Sequence, residues 1–178
     1  MRRWTLWLPL LALMLLGGMA MYGLSVPKDP FVHSKMVGQK LPAFNMPAAV
    51  EGVPPLSSTN FADGTPRLLN IFASWCLPCR AEAPQLDALK KSGVQIYGIA
   101  LPDKDDGTYR LADFLSEYGN PFDRIGLDGD MRLQLALGSS GVPETYLIGG
   151  DGTILYQHIG DIRSEDVGPL LAQLKAAR

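Results

Sequence analysis

The sequence predicts an α/β layer structure standing behind an apolar N-terminal segment. Three observations carry that expectation. Short apolar runs of strand type alternate with helical stretches. A Gly/Asp-rich turn joins two further apolar runs near the C-terminus. The first part of the chain, from Trp4 to Leu24, contains no charged residue. Strands that alternate with helices and end in a hairpin and a helix build a sheet with helices layered on it. The 178 residues suffice for one domain of ordinary size with a true core.

The leader is read first. Arg2 and Arg3 precede an uncharged stretch about as long as a helix needs to cross a bilayer, and longer than the ~7–15 residues of a signal-peptide core. Gly17-Gly18-Met19-Ala20 is a poor cleavage site. An uncleaved anchor over residues 1–24 is therefore favoured over a cleaved signal. Basic residues stay on the cytoplasmic side, which places the remainder outside. Trp4, Trp7 and Tyr22 suit the two interfaces, and membrane lipid is the expected partner of this segment. Residues 25–40, with Pro27, Pro30 and Gly38, read as a linker in which His33 is a solvated side chain. Residues 41–178 form the expected domain. A net charge of −2 gives no basic footprint for nucleic acid.

Within that domain, Leu41 to Phe61 is interrupted by prolines and suggests a small hairpin. Leu68 to Phe72 is apolar enough for a central strand covered on both faces. A helix is expected from about Cys79 to Ser92, kinked at Pro84 and stopped by Gly93. Val94 to Leu101 reads as a strand and Asp103 to Gly107 as a surface loop. Leu111, Phe114, Leu115 and Tyr118 form one helical stripe. Met131 to Leu137 is a short helix. Tyr146-Leu147-Ile148 and Thr153 to Tyr156 are joined by Gly149-Gly150-Asp151-Gly152 as a hairpin. Ser164 is expected to cap a last helix that buries Val167, Leu170, Leu171 and Leu174.

The chemistry centres on Trp75-Cys76-Leu77-Pro78-Cys79-Arg80, which holds the only two cysteines of the chain. A disulfide across so short a loop removes little entropy from the unfolded chain and so stabilises little. It is better suited to opening and closing. Cys76 falls where a strand ends and a helix begins, where free backbone N–H groups and the helix dipole favour a thiolate. Three other readings compete, one of them two unrelated buried thiols, which the Trp75-Cys76 and Cys79-Arg80 flanks disfavour. A zinc site needs about four ligands, and His33 and His158 are the only histidines. A purely structural disulfide is disfavoured by its short loop. A redox dithiol accounts best for the motif, and no cofactor is expected beside it.

With Trp75-Cys76-Leu77-Pro78-Cys79-Arg80-Ala81-Glu82, Leu69-Asn70, Gly141-Val142-Pro143-Glu144-Thr145 and Tyr156-Gln157-His158-Ile159-Gly160 in place, the chain resembles the thioredoxin fold. More narrowly, it resembles the membrane-anchored CcmG/DsbE proteins of cytochrome c maturation. Gly38, Leu41-Pro42, Phe44 and Asn120-Pro121-Phe122 add to the likeness. It covers the chain from about Gly38 onward and implies a central mixed sheet flanked by helices, behind a transmembrane helix. It implies a thiol:disulfide oxidoreductase held in the inner membrane by a single span, with its domain in the periplasm. The expected client is apocytochrome c or a maturation thiol protein, and a DsbD-like membrane protein is the expected source of electrons. By the same resemblance Cys76 is the nucleophile and Cys79 the resolving thiol, Trp75 covers the site, and Pro143 is a cis-proline against the disulfide. Without the resemblance, a trans turn proline would be favoured.

Glu82 lies one turn beyond Cys79 and could approach its sulfur. The plainer reading is a solvent-facing acid in a first helical turn. Glu144, next to Pro143, carries the same pair of readings, and Asn70 stands where thioredoxin has a buried acid. Phe72 and Leu77 depart from what close relatives often carry, and since the Leu77-Pro78 dipeptide helps set the reduction potential, that potential is not transferred by analogy. Two further functions fit the sequence: a general exported reductase or oxidase serving other clients, such as copper-site proteins, and a membrane-tethered binding module in which the disulfide is only a clip.

Overall fold

The computed structural model describes residues 7–25, 34–103 and 110–177. Arg2, Arg3 and Trp4 of the expected anchor, His33, and most of the charged loop after Asp103 lie outside the described residues. Two compact units divide at Phe31 and Val32.

The first unit contains helix α1, Trp7–Ser25. Its 19 residues carry no charge, and at 1.5 Å per residue it is roughly 28 Å long. Leucines and methionines are exposed on every side of it. Among the described residues, no helix is long and apolar enough to cross a membrane.

The second unit is a five-stranded sheet with helices packed on it. Its strands are β3 (Arg67–Phe72), β4 (Ile96–Ala100), β5 (Arg124–Leu127), β6 (Glu144–Ile148) and β7 (Ile154–Ile159), in the order β5-β4-β3-β6-β7. β3, β4 and β5 run parallel, while β6 lies antiparallel to β3 and β7 antiparallel to β6. The sheet is therefore mixed, as the thioredoxin-like fold requires. Around it run α2 (Leu77–Lys91), α3 (Leu111–Tyr118), α4 (Arg132–Ala136) and α5 (Ser164–Ala176). The expected small hairpin is β1 (Asn45–Met46) with β2 (Leu56–Ser57), followed by a 3₁₀ turn, Ser58–Phe61.

β3 is buried at every position because it is the middle strand. Alternation of its side chains separates two faces. Asn70 and Phe72 point toward α2, where Phe72 stacks on Phe122 at 4.6 Å between ring centroids. Arg67 points to the other face. There its guanidinium is wholly buried over the rings of Phe61 and Tyr97, and it is hydrogen-bonded to Asp63, Tyr97 Oη and the Asn60 carbonyl.

The structure departs from the sequence reading in several places. Residues 34–40, expected as linker, are packed into the domain. Gly38 N donates to Ile154 O at 2.7 Å, Ile154 N donates to Gln39 O, and Ser34 N donates to Gln157 Oε1. The strip adds main-chain pairing along the edge strand β7. β5 went unread in the sequence. α2 begins at Leu77 rather than at Cys79, because Cys76 itself caps it, and it continues through Pro84. The last helix is capped at Arg163 rather than Ser164: the Arg163 N–H donates to Asp166 Oδ2 at 2.9 Å, which leaves Ser164 as the first helical residue.

Candidate active site

β3 ends at Phe72, and Ala73-Ser74-Trp75 turns the chain into α2. Cys76 holds extended backbone geometry at the helix N-cap. Its N–H donates to Ala73 O at 3.2 Å, and its sulfur accepts the N–H of Cys79 at 3.2 Å. A sulfur in this position receives the positive end of the helix, which favours a thiolate there when the pair is reduced. Pro78 falls in the first turn, where its missing N–H costs nothing. Cys76 and Cys79 are joined as a disulfide with Cα atoms 5.3 Å apart. They are 4% and 2% exposed, so exposure hardly ranks the two sulfurs; position on the helix does. Leu77 stands 73% exposed between them and offers an apolar contact at the mouth of the site.

Trp75 is half-buried, and its Nε1 donates to Pro102 O at 3.0 Å. Beside it, Ser74 Oγ donates to Asp103 Oδ1 at 2.7 Å, while Asp103 Oδ2 accepts the N–H of Leu111. Asp103 thereby ties the loop before the dithiol to the start of α3. Arg80 donates to Ser74 O and lies over the ring of Tyr118. The Val142–Pro143 peptide is cis. Register pairs Ile71 with Glu144, so Pro143 sits at the end of the sheet from which the Cys76 loop departs.

The two glutamates are placed very differently. Glu82 is wholly buried on the face of α2 that meets β3. Its Oε1 accepts from Asn70 Nδ2 at 3.0 Å and its Oε2 from the N–H of Ile162, just before α5, at 3.1 Å. Asn70 Nδ2 also donates to Thr145 Oγ1 at 3.0 Å. Burial strongly disfavours the carboxylate, and the Asp161 charge adds to that; the two N–H donors oppose it without winning, so the Glu82 pKa is pushed up to about 7. A cavity of about 10 Å3 is lined by Asn70, Cys79 and Glu82 together with Phe72, Phe114 and Phe122. Cys79, Glu82 and Asn70 thus line one small cavity.

Glu144 projects onto the opposite face of the sheet. Its Oε1 accepts from the N–H and hydroxyl of Ser140, both at 2.7 Å, and its Oε2 from Tyr146 Oη at 2.8 Å and Gln157 Nε2 at 3.0 Å. Burial and the neighbouring carboxylate hold the Tyr146 phenol above its ordinary pKa. Gln157 extends the network to Ser34, whose hydroxyl is bonded to Leu137 O. These bonds brace the loop that carries Pro143 against β7 and the end of α4. His158 lies on β7, with Nε2 3.3 Å from Asp161 O. Among the described residues, no three His, Cys, Asp or Glu side chains gather as a metal site.

Ser140, Tyr146 and Gln157 were not read as site residues in the sequence, nor were Asp103 and Ile162. Thr145 was within reach of a sequence reading, because strand alternation separates it from Glu144. The Ile162 contact is made by a main-chain N–H and leaves no side-chain signal.

Comparison with known proteins agrees with this geometry. The family model described as Redoxin matches residues 36–174. The thiol:disulfide interchange protein DsbE of Pseudomonas fluorescens is 41% identical over 164 residues, covering 91% of this chain and 88% of that one. HelX, a thiol:disulfide interchange protein of Rhodobacter capsulatus, is 33% identical over 172 residues, covering 94% and 95%. The crystal structure of a protein described as DsbE from Chlorobium tepidum superposes with a TM-score of 0.65 at 26% identity, covering 83% of this chain and 99% of that one. With a dithiol at a helix N-terminus on a mixed sheet and relatives of this kind over nearly its whole length, the chain belongs to the Redoxin family, as a thiol-disulfide oxidoreductase among the DsbE and HelX interchange proteins.

Proposed function

We propose that this protein is a membrane-attached periplasmic reductant that keeps the haem-binding thiols of apocytochrome c, or of a maturation thiol protein, in the dithiol state. The observation that carries the reading is the buried Glu82 carboxyl on the Cys79 helix. A reductant must turn its second thiol into an attacking thiolate, and a group with a pKa of about 7 is suited to take that proton at neutral pH. The relatives named interchange proteins support the chemistry, and the resemblance to cytochrome c maturation proteins supports the client. Membrane attachment is supported by α1, uncharged and apolar on all sides, and by the uncharged run that begins at Trp4 in the sequence.

In the proposed cycle the Cys76 thiolate attacks one sulfur of a client disulfide. A Cys76–client bond forms and one client thiolate leaves. Cys79 then gives its proton to Glu82 and attacks Cys76 Sγ, closing the Cys76–Cys79 disulfide and releasing the second client thiolate. Two electrons pass to the client, and the two client thiolates take up protons from solvent. A dithiol-bearing membrane protein of the DsbD kind then reverses the state of the pair. Trp75 and Leu77 provide apolar contact for the client beside Cys76. Pro143 and Val142 offer the backbone edge.

The test is made in cells. Replacing both cysteines by serine is expected to abolish covalent haem on c-type cytochromes, with restoration by an added small dithiol. Normal cytochromes in that variant would contradict the reading and leave a reductase with other clients.

A further inference from the structure

Parallel pairing carries β3 and β4 off the same end of the sheet. The ladder closes where the Leu101 N–H donates to Phe72 O at 3.0 Å. Beyond that bond the chain from Ala73 to Trp75 is held by side chains until Cys76 caps α2. From the β4 side, Asp103 Oδ1 accepts the Ser74 hydroxyl at 2.7 Å, and Pro102 O accepts from Trp75 Nε1 at 3.0 Å. From the α2 side, Arg80 donates to Ser74 O at 3.2 Å. Ser74 is thus tied to a carboxylate by its hydroxyl and to a guanidinium by its carbonyl, two positions before Cys76. Asp103 is exposed, whereas Ser74 is 1% exposed. Serving the start of α3 occupies only Asp103 Oδ2, which accepts the Leu111 N–H at 3.0 Å. The other oxygen, turned inward to a buried hydroxyl, does what that role does not require. A hydrogen bond to a carboxylate is roughly twice as strong as a neutral one.

We propose that Ser74 and Asp103 are positioning residues for Cys76: their hydrogen bond fixes the turn that seats the Cys76 sulfur at the start of α2, and so sets how readily that sulfur attacks. The inference rests on the reading of Cys76 as the attacking thiol. A sulfur gains from the helix dipole and the free N–H groups only at the helix terminus, because the effect falls off within one turn. The seat is visible in two bonds of 3.2 Å, the Cys79 N–H donating to Cys76 Sγ and the Cys76 N–H donating to Ala73 O. Both depend on the path of Ala73-Ser74-Trp75. Without the Ser74 hydroxyl, that turn loses its side-chain tie to Asp103 and the sulfur is held less closely to the helix. The Cys76 thiolate is then less favoured. Attack slows at neutral pH, and the dithiol loses stabilisation relative to the disulfide. The charged groups that hold the turn are Asp103, from the chain after β4, and Arg80 on α2. Neither takes part in the exchange of sulfur bonds.

The experiment uses the full-length protein with Cys79→Ser, which leaves Cys76 as the only thiol of the chain, and follows its alkylation by iodoacetamide against pH. Adding Ser74→Ala should move the Cys76 titration upward. Alkylation below that titration should slow about two- to fivefold, the size of a charge interaction at a helix terminus, and should match the parent at high pH. With both cysteines present, one oxidised glutathione converts the protein dithiol to its disulfide and leaves two reduced glutathiones. Ser74→Ala should shift that equilibrium toward the protein disulfide by a similar factor. A second pair of variants decides the matter if Ser74→Ala does not fold. Asp103→Ala and Asp103→Asn both lose the charge, but only the asparagine keeps an oxygen for Ser74, so Cys76 should titrate higher in Asp103→Ala than in Asp103→Asn. Urea unfolding is measured beside each titration. Variants that lose stability while the Cys76 titration and the glutathione equilibrium stay in place overturn the positioning role, as does an equal titration in the two Asp103 variants. A Cys79→Ser parent whose Cys76 resists iodoacetamide across the whole pH range would instead remove the reading of Cys76 as the attacking thiol.

Discussion

The side-chain amide of Asn70 donates to Glu82 Oε1 across 3.0 Å, joining the middle strand of the sheet to the helix that carries Cys79. The contact is buried, and it links the Glu82 carboxyl to the frame of the fold. Stability and chemistry are therefore expected to depend on the same carboxyl.

The first consequence concerns pH. Glu82 has an ordinary pKa of 4.5 and a folded one of about 7. Between those values the folded protein holds a proton that the unfolded chain has lost. The stabilisation is complete below 4.5 and is lost as pH rises through about 7, by about 3 kcal/mol in total at ~1.4 kcal/mol per pKa unit. Urea unfolding of the oxidised protein across this window should show the wild type losing stability relative to Glu82→Gln. Parallel profiles for the two proteins would contradict the buried, shifted carboxyl.

Glu144 is expected to be a stability residue. Glu144→Ala would strand the buried Tyr146 hydroxyl as a donor and take one acceptor from the buried Gln157 amide, which keeps Tyr146 Oη. The expected loss is about 1–3 kcal/mol, the cost of one unsatisfied buried group. The change should lower the denaturation midpoint and leave the Cys79 titration in place. A shifted Cys79 titration would give Glu144 a part in the chemistry.

Arg67 is fully buried at the end of β3 away from the dithiol, with Asp63 as its charged partner. Arg67→Ala leaves the rings of Phe61 and Tyr97 facing a void and is expected to cost about 2–5 kcal/mol, as large-to-small truncations in a core do, while the Asp63 left behind is exposed. Arg67→Met fills the volume without a charge and should recover much of that loss. Chemical denaturation of the two variants checks the ordering.

Gly98 faces the aromatic stack that walls the Glu82 cavity. A Cβ there would come within 2.9 Å of Phe72 Cε1 and 3.1 Å of Phe122 Cδ1. Gly98→Ala should destabilise by about 1–3 kcal/mol through overpacking. Thermal unfolding measures the loss, and near-UV circular dichroism reports the displaced rings.

Much of this could be read in the sequence because its signals are local. The strand, the Cys76-Leu77-Pro78-Cys79 motif and the helix follow one another directly, so the dithiol could be placed at a helix start from neighbours alone. The stripe Leu111, Phe114, Leu115 and Tyr118 coincides with α3. What escaped depends on contacts distant in the chain. β5 is only four residues long and is defined by pairing with Tyr97 to Ala100 and by Asp123 Oδ2 accepting the N–H of Ile96. Arg67 reads as a surface residue until the sheet closes over it. Glu144 adjoins Pro143 in sequence, yet the pleat sends it to the face away from α2 while Thr145 meets Asn70, and only the pairing with β3 decides which face is which. The Glu82 site joins residues 70, 82, 145 and 162, a set that no window of sequence contains.

The most direct test of the account is the trapping of a client on one sulfur. An oxidised peptide bearing the haem-attachment Cys-x-x-Cys-His pattern is mixed with the reduced single-serine variants, and the covalent adduct is read by non-reducing mass spectrometry. Cys79→Ser should accumulate a Cys76–peptide disulfide, and Cys76→Ser should form little. Adduct on Cys79 in the Cys76→Ser protein, with none in Cys79→Ser, would contradict the account by reversing the roles of the two sulfurs.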